Sequence, residues 1–213
     1  MYTYCIWDFN GTILDDVELG IYSVNLLMKN HGIELVLDRE KYRARFDFPI
    51  IDYYKELGFD FEKTPYEVLA KEWVDIYMEN LWRANLFPDL IKALDFFKQS
   101  GVKQSVLSAS ENEMLNGQVA ELGIASYFED IMGIDNIYGD SKLAIARRWR
   151  EAHPEDKVIF IGDTTHDIET ATVLSADCYI VCAGHQCKLR FADKNVKIFD
   201  SLDGLTSFLK ARR

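Results

Sequence analysis

Tyr4-Cys5-Ile6-Trp7-Asp8-Phe9-Asn10-Gly11-Thr12 decides how the chain is read. An apolar run ends in a carboxylate and passes into Asn-Gly-Thr. Asn-Gly between apolar runs is a strong hairpin signal, because both residues tolerate positive φ. A carboxylate at the end of a buried strand, with a Gly-Thr loop after it, is also how a phosphate site can begin. The residues beyond Thr12 separate the two readings. A hairpin needs a partner strand there, whereas the chain runs into helical periodicity.

That helical texture occupies residues 15 to 86. Asp15-Asp16-Val17-Glu18 supplies a cap residue with glutamate three positions on, a capping-box-like start. Apolar residues recur at Ile21, Val24, Leu27 and Met28, and Gly32 closes the helix. Three more helices are expected over 38–45, 49–57 and 64–85, the last with Pro65 suited to a first helical position. Beyond residue 86 the texture alternates. Strand-like runs at 102–108, 130–133, 157–162, 178–182 and 196–199 join the first, at 2–9. Helix-like stretches at 89–100, 111–122, 141–152, 167–174 and 202–210 separate them. Short apolar strands between amphipathic helices imply a parallel sheet covered on both faces. The expected fold is α/β: a doubly wound, Rossmann-like parallel-sheet core with an α-helical cap inserted after the first strand. Residues 1–14 and 87–213 would form the core and 15–86 the cap.

The bulk composition narrows the class. At 213 residues and 48% hydrophobic, the chain can build a full core. Thirty-five acids against 24 bases give a net charge of −11, the wrong sign for displacing counterions from nucleic acid. The clustered bases, Arg147, Arg148, Arg150 and the pair Arg212-Arg213, sit near helix ends and read as solvated surface. Cys5, Cys178, Cys182 and Cys187 show no Cys-x-x-Cys spacing, so structural zinc and thioredoxin-type chemistry find no support. Reduced thiols, no signal-peptide pattern and no apolar run long enough for a membrane span make a cytoplasmic location the expectation. Nothing in the sequence bears on oligomeric state.

In such a sheet, ligands bind beyond the carboxyl ends of the strands. The residues at those ends are Asp8, Ser108 and Asp163, and Lys142 comes after a strand–loop–helix junction. An ionised Asp8 can attack phosphorus as a nucleophile. Two anions then approach each other, so a cation is needed. Asp163 and Asp167 lie four apart across a strand-to-helix turn and with Asp8 make an all-oxygen set suited to Mg²⁺. Ser108 leads into Ser110-Glu111-Asn112-Glu113, a second capping-box pattern whose helix start favours an anion. A lysine in a first helical turn is misplaced on dipole grounds, which a phosphate and Asp8 as partners would explain. Taken singly, Asp163 could be a plain helix cap, Thr164-x-x-Asp167 a plain capping box, and Lys142 a surface lysine. Their joint placement favours a site.

The set and its order resemble the haloacid dehalogenase superfamily, and within it the phosphoglycolate-phosphatase-like hydrolases. The first motif, Asp-x-Asp-Gly-Thr, is matched by Asp8-Phe9-Asn10-Gly11-Thr12. The second, an apolar strand ending in Ser or Thr, is matched by Val106-Leu107-Ser108. The third is a lysine, Lys142. The fourth, Gly-Asp-x-x-x-Asp, is matched by Gly162, Asp163 and Asp167. The resemblance implies a phosphoric monoester hydrolase acting on a small phosphorylated metabolite through an aspartyl-phosphate on Asp8. It implies Mg²⁺ held by Asp8, Asp163 and the backbone carbonyl of Asn10, with Asp167 close by. It implies that Ser108, Lys142 and backbone N–H groups of Gly11 or Ala109 hold the phosphoryl group. Metal-free dehalogenases of similar fold lack the paired acids, which argues against carbon–halogen cleavage.

Position 10 departs from the motif. The family's second aspartate protonates the leaving oxygen and then deprotonates water, and an amide does neither. Such a group is typically worth ~10²–10⁴ in rate. Three outcomes stay open: a slow phosphatase, an altered reaction such as phosphonate cleavage with a cap lysine, or a catalytically feeble phosphate-binding relative. For substrate selection, Arg43 or Arg45 could grip an anionic leaving group from the cap, although surface arginines ending a helix are the plainer reading. Trp73, Tyr77 and Trp82 are expected in the cap's own core. His166 could touch the site or sit in an exposed turn, and His185 could line the rim.

Overall fold

The computed structural model describes residues 2–139 and 141–212, so Arg213 of the basic C-terminal pair lies outside the described residues. In chain order the elements are β1 (Tyr4–Trp7), β2 (Leu14–Asp15), α1 (Val17–Asn30), α2 (Arg39–Arg45), α3 (Ile50–Leu57) and α4 (Tyr66–Glu79). Then come β3 (Asn85–Leu86), α5 (Leu90–Gln99), β4 (Lys103–Glu111), α6 (Asn112–Glu121) and β5 (Ile131–Ile134). The chain finishes with α7 (Leu143–Ala152), β6 (Val158–Gly162), α8 (Thr165–Val173), β7 (Asp177–Val181), β8 (Lys197–Phe199) and α9 (Leu202–Lys210).

The main sheet has six strands in the order β5-β4-β1-β6-β7-β8, and every pairing is parallel. Alternation along the strands shows why. Cys5 and Trp7 of β1, with Ile159 and Ile161 of β6, pack on Leu94, Phe97, Leu115 and Leu205 from α5, α6 and α9. Tyr4, Ile6, Val158 and Phe160 point to the opposite face and meet Ala146, Trp149, Ala171 and Leu174 on the side of α7 and α8. Apolar residues at every position are what a strand buried on both faces requires.

The four helices α1 to α4 form a layer with its own apolar cluster, including Val24, Leu27, Tyr54 and Leu69. The chain enters this layer through β2 and leaves it through β3, which pair antiparallel as Leu14↔Leu86 and Asp15↔Asn85. Asn10-Gly11 therefore turns the chain out of the sheet. Phe9 accepts from the backbone N–H groups of Thr12, Ile13 and Leu14, and Gly11 sits at φ 74°.

Two expected caps form differently. Asp16 stands at the N-cap of α1 but makes no capping hydrogen bond. Ahead of α6 the cap is Glu111, not Ser110, and its carboxylate accepts from Glu113 and Met114 N–H. Asp16 and Ser110 are instead turned toward the site.

Candidate active site

The adjacent strands β4, β1 and β6 bring three polar residues to one edge. Asp8 comes directly after β1, and its N–H extends the ladder to the Ile161 carbonyl at 2.8 Å. Asp163 comes directly after β6. Ser108 lies where β4 slips register against β5, between the pairs Leu107↔Met132 and Glu111↔Ile134. Such irregularities bend a strand and re-aim its side chains. All three residues are buried, Asp163 completely.

Lys142, at the N-cap of α7 and 1% exposed, reaches across to them. Its ammonium donates to Asp8 Oδ1, lies 2.8 Å from Asp167 Oδ1, and donates to the Leu107 carbonyl at 3.2 Å. Asp167 Oδ2 accepts from Asp163 N–H, Thr164 N–H and Thr164 Oγ1. Asp167 is thus both the acid of a capping box on α8 and an anchor for Lys142. Asp163 accepts from His185 N–H at 2.6 Å and from Thr12 Oγ1 at 3.2 Å.

One oxygen from each of Asp8, Asp163 and Asp167 lies within 4.8 Å of the others, so the three could hold a metal ion. Burial, with the neighbouring acids, pushes the Asp8 carboxyl well up against the pull of Lys142. Burial and Asp167 lift Asp163 to about 7 although His185 opposes them. Asp167 falls below its usual value because Lys142 and Thr164 outweigh its burial. Against burial, Asp167 and Asp8 hold Lys142 charged. Three buried carboxylates facing one ammonium are short of positive charge, and their hard oxygen donors fit a hard divalent cation.

Asn10 is fixed on both ends of its amide. Its nitrogen donates to Asp16 Oδ2 at 2.8 Å and to the Tyr77 hydroxyl at 3.0 Å, and its oxygen accepts from Ser110 Oγ at 2.8 Å. Asp16 is the hub of this network. It also accepts from Tyr77 OH at 2.7 Å and Gly11 N–H at 2.9 Å, and pairs with His185 Nε2 at 3.1 Å. The other ring nitrogen of His185 meets the Tyr42 hydroxyl at 2.9 Å. Burial pushes the imidazole pKa down, but the charge and hydrogen bond of Asp16 lift it to about 9. Asp16 in turn is held below its usual value, with His185, Asn10 and Tyr77 overcoming its burial.

Between this edge and the helical layer lies a cavity of about 140 Å³. Asp8, Asn10, Ser108, Ala109 and Lys142 line its sheet side, and a wall rich in aromatic rings lines the other.

A family model described as haloacid dehalogenase-like hydrolase matches residues 5–181. The chain belongs to this family. No curated protein matches it by sequence. Solved structures do match over almost the whole chain. A predicted phosphatase from Clostridium acetobutylicum is 20% identical, with 99% of each chain covered and a TM-score of 0.81. A haloacid dehalogenase-like family protein from Streptococcus pneumoniae is 16% identical, with 98% of each chain covered and a TM-score of 0.82. A predicted phosphoglycolate phosphatase from Haemophilus somnus is 16% identical, covering 100% of this chain and 98% of its own, with a TM-score of 0.75. At such identities the likeness establishes the shared fold, and the activity has to come from the site.

In this haloacid dehalogenase-like hydrolase, several expected residues have other work. The Gly11 N–H is bonded to the Leu14 carbonyl and Asp16, so it is not free for phosphate. Glycine is needed there for space, because a Cβ would overlap Asp163 and His185. Neither Arg43 nor Arg45 lines the cavity. The Arg43 guanidinium donates to the carbonyls of Cys182, Gly184 and Gln186, bolting α2 to the loop after β7. Arg45 pairs with Glu56 at the exposed surface. His166 is buried rather than exposed, stacked on Phe48 with ring centroids 4.9 Å apart. Trp73 stacks on Tyr77, whereas Trp82 is 74% exposed.

Asp16, Ser110 and Tyr77 are site residues that sequence reasoning missed. Asp16 and Ser110 look like helix caps, and Tyr77 keeps the helical period of a core residue. Position 10 held the available signal: a half-buried amide beside a buried site needs partners for both its ends.

Proposed function

We propose that this hydrolase is a divalent-metal-dependent phosphatase acting on a small phosphorylated metabolite through an aspartyl-phosphate on Asp8. What carries the reading is Asp8 itself: a buried carboxylate on the cavity wall, bonded to Lys142 and clustered with Asp163 and Asp167. The helical layer α1 to α4, residues 15–86, acts as the cap over it, excluding water from the reaction.

Each residue has a task. Asp8 supplies the attacking oxygen. Lys142 orients that carboxylate and offers charge to the phosphoryl oxygens. Ser108 and Ala109, on the same wall, complete the phosphoryl seat. Asp167 holds Lys142 in place through its own bonds to the start of α8. Mg²⁺ or a similar ion would be held by Asp8, Asp163 and the backbone carbonyl of Asn10, with Asp167 close by. When bound it would screen the nucleophile from the phosphate and lower the Asp8 pKa.

Asn10 gives no proton. Its side chain instead joins the sheet edge to the cap, through Tyr77 on α4 and Asp16 at the start of α1. The phosphonate-cleaving alternative needs a cap lysine at the cavity. Among the described residues that line it, the lysine is Lys142, from the core, while Lys41, Lys55, Lys63 and Lys71 of the cap lie in exposed ion pairs.

The test is turnover of p-nitrophenyl phosphate with Mg²⁺ by wild type, Asp8→Asn and Asn10→Asp. Turnover by wild type that Asp8→Asn abolishes supports the reading. Wild type no better than Asp8→Asn, with Asn10→Asp active, would identify a phosphate-binding relative instead.

A further inference from the structure

Three features bear on the group that leaves from phosphorus. The first is the shape of the cavity. Phe46, Phe48, Tyr53, Tyr54, Trp73 and Tyr138 contribute rings to a space of about 140 Å³. An apolar cavity of ~150 Å³ holds one benzene ring, and this one must seat the phosphoryl group too, so the leaving group is no larger than one ring. Aromatic walls reward a flat ring through stacked or edge contacts as well as through burial.

The second is charge. Among the described lining residues the positive groups are Lys142 and His185. Lys142 is paired with Asp8 and Asp167, and His185 with Asp16. Glu111 also lines the cavity, with both its oxygens occupied by backbone N–H groups of α6. A second anion on the substrate, such as the carboxylate of phosphoglycolate, would be buried there without an unpaired cation, which is costly.

The third is Asn10, held by Asp16, Tyr77 and Ser110 in the place of a proton donor. An alcohol leaving without a proton must depart as an alkoxide, whose conjugate acid is about as weak as water. A phenol resembles tyrosine, with a pKa of about 10. It departs as phenolate unaided.

We propose that the substrate is an aryl phosphate monoester: one aromatic ring, no second anionic group, and a phenolate that leaves unprotonated. The proposal rests on the phosphatase reading. An Asp8 oxygen forms a bond to phosphorus as the aryl P–O bond breaks, and its electron pair leaves on the phenolate. Water then attacks phosphorus, and the aspartyl P–O bond breaks with its electrons returning to Asp8. Both protons of the water depart on dihydrogen phosphate. No base is consumed, which suits a loose transition state with little demand on the nucleophile.

Two measurements on the full chain test it. The first is kcat/KM with Mg²⁺ for phenyl phosphate, benzyl phosphate and 2-phosphoglycolate. Benzyl phosphate keeps the ring but has an alcohol leaving group. Phenyl phosphate should exceed benzyl phosphate by ~10²-fold or more, the typical worth of the missing acid. Benzyl phosphate should exceed 2-phosphoglycolate about tenfold. The second is calorimetric binding of two non-hydrolysable probes. Benzylphosphonate should bind at least about tenfold tighter than phosphonoacetate, and Trp73→Ala should erase most of that difference. If 2-phosphoglycolate matches or exceeds the aryl ester, the inference fails and the phosphatase reading stands. Equal rates for phenyl and benzyl phosphate would also overturn it, by showing that another group supplies the proton. If none of the three is hydrolysed, the inference fails, and turnover of p-nitrophenyl phosphate by wild type against Asp8→Asn decides the phosphatase reading separately.

Discussion

The side-chain amide of Asn10 donates to the buried carboxylate of Asp16 across 2.8 Å. Asn10 stands at the sheet edge and Asp16 at the start of α1, so one hydrogen bond joins that edge to the helical layer. It also settles which end of the amide is nitrogen, because a carboxylate of depressed pKa only accepts.

Asp16 is therefore structural as well as local to the site. Asp16→Asn leaves the His185 imidazolium buried without its counter-charge and disturbs the bonds from Asn10, Tyr77 and Gly11. Removing one partner of a buried pair typically costs about 3–5 kcal/mol. Urea unfolding should show a loss of that order, with the slope against denaturant unchanged. A loss under about 1 kcal/mol would mean the network is not holding the cap.

The same pair sets a pH dependence. His185 has its pKa raised from the usual 6.5 to about 9 on folding. A raised pKa contributes stability that is complete below the unfolded value and fades as pH climbs through the folded one. The advantage in melting temperature of wild type over His185→Gln should be level below about pH 6 and shrink between roughly pH 6.5 and 9. Metal-free protein is the sample, with melting tracked by circular dichroism. An advantage that grows across that window would reverse the assignment.

Arg43 and Arg45 separate cleanly. Arg43→Ala strands three carbonyls of the loop carrying His185 and should cost about 2 kcal/mol or more. Arg45→Ala removes an exposed pair and should stay within about 0.5 kcal/mol. Neither should change the ranking of leaving groups, because neither lines the cavity. Substrate profiling of both variants checks this.

Much of the fold was legible in the sequence. Strands buried on both faces read as unbroken apolar runs, and the acids at their ends marked the edge where β1, β4 and β6 present Asp8, Ser108 and Asp163. The β2–β3 pair was not legible, since two residues a side give no periodicity. The capping-box pattern fell on Asp15 and Glu18, whereas the N-cap is Asp16, and only the tertiary fold directs its carboxylate to Asn10. Tyr77 and Trp82 share one apolar rhythm with Trp73, yet one reaches the site and the other faces solvent. Arginine in a cap loop suggested a substrate grip, while three backbone carbonyls across the interface were the actual partners of Arg43.

Gly184 gives a test of the proposed metal site independent of turnover. A Cβ there would overlap Asp163 Oδ2 and the Gly11 carbonyl, forcing Asp163 aside. Disturbing the groups that orient a ligand typically costs ~10–100-fold in metal affinity. Calorimetric titration of Gly184→Ala with Mg²⁺ alone should show that loss. Affinity equal to wild type would place the ion elsewhere.

Asp8 as the nucleophile is the central claim. The direct measurement is mass spectrometry of the acid-quenched protein during turnover of p-nitrophenyl phosphate with Mg²⁺. A phosphoryl group on the peptide carrying Asp8, absent from Asp8→Asn, is the expected result. Phosphate release with Asp8 never modified, or undiminished release by Asp8→Asn, would contradict it.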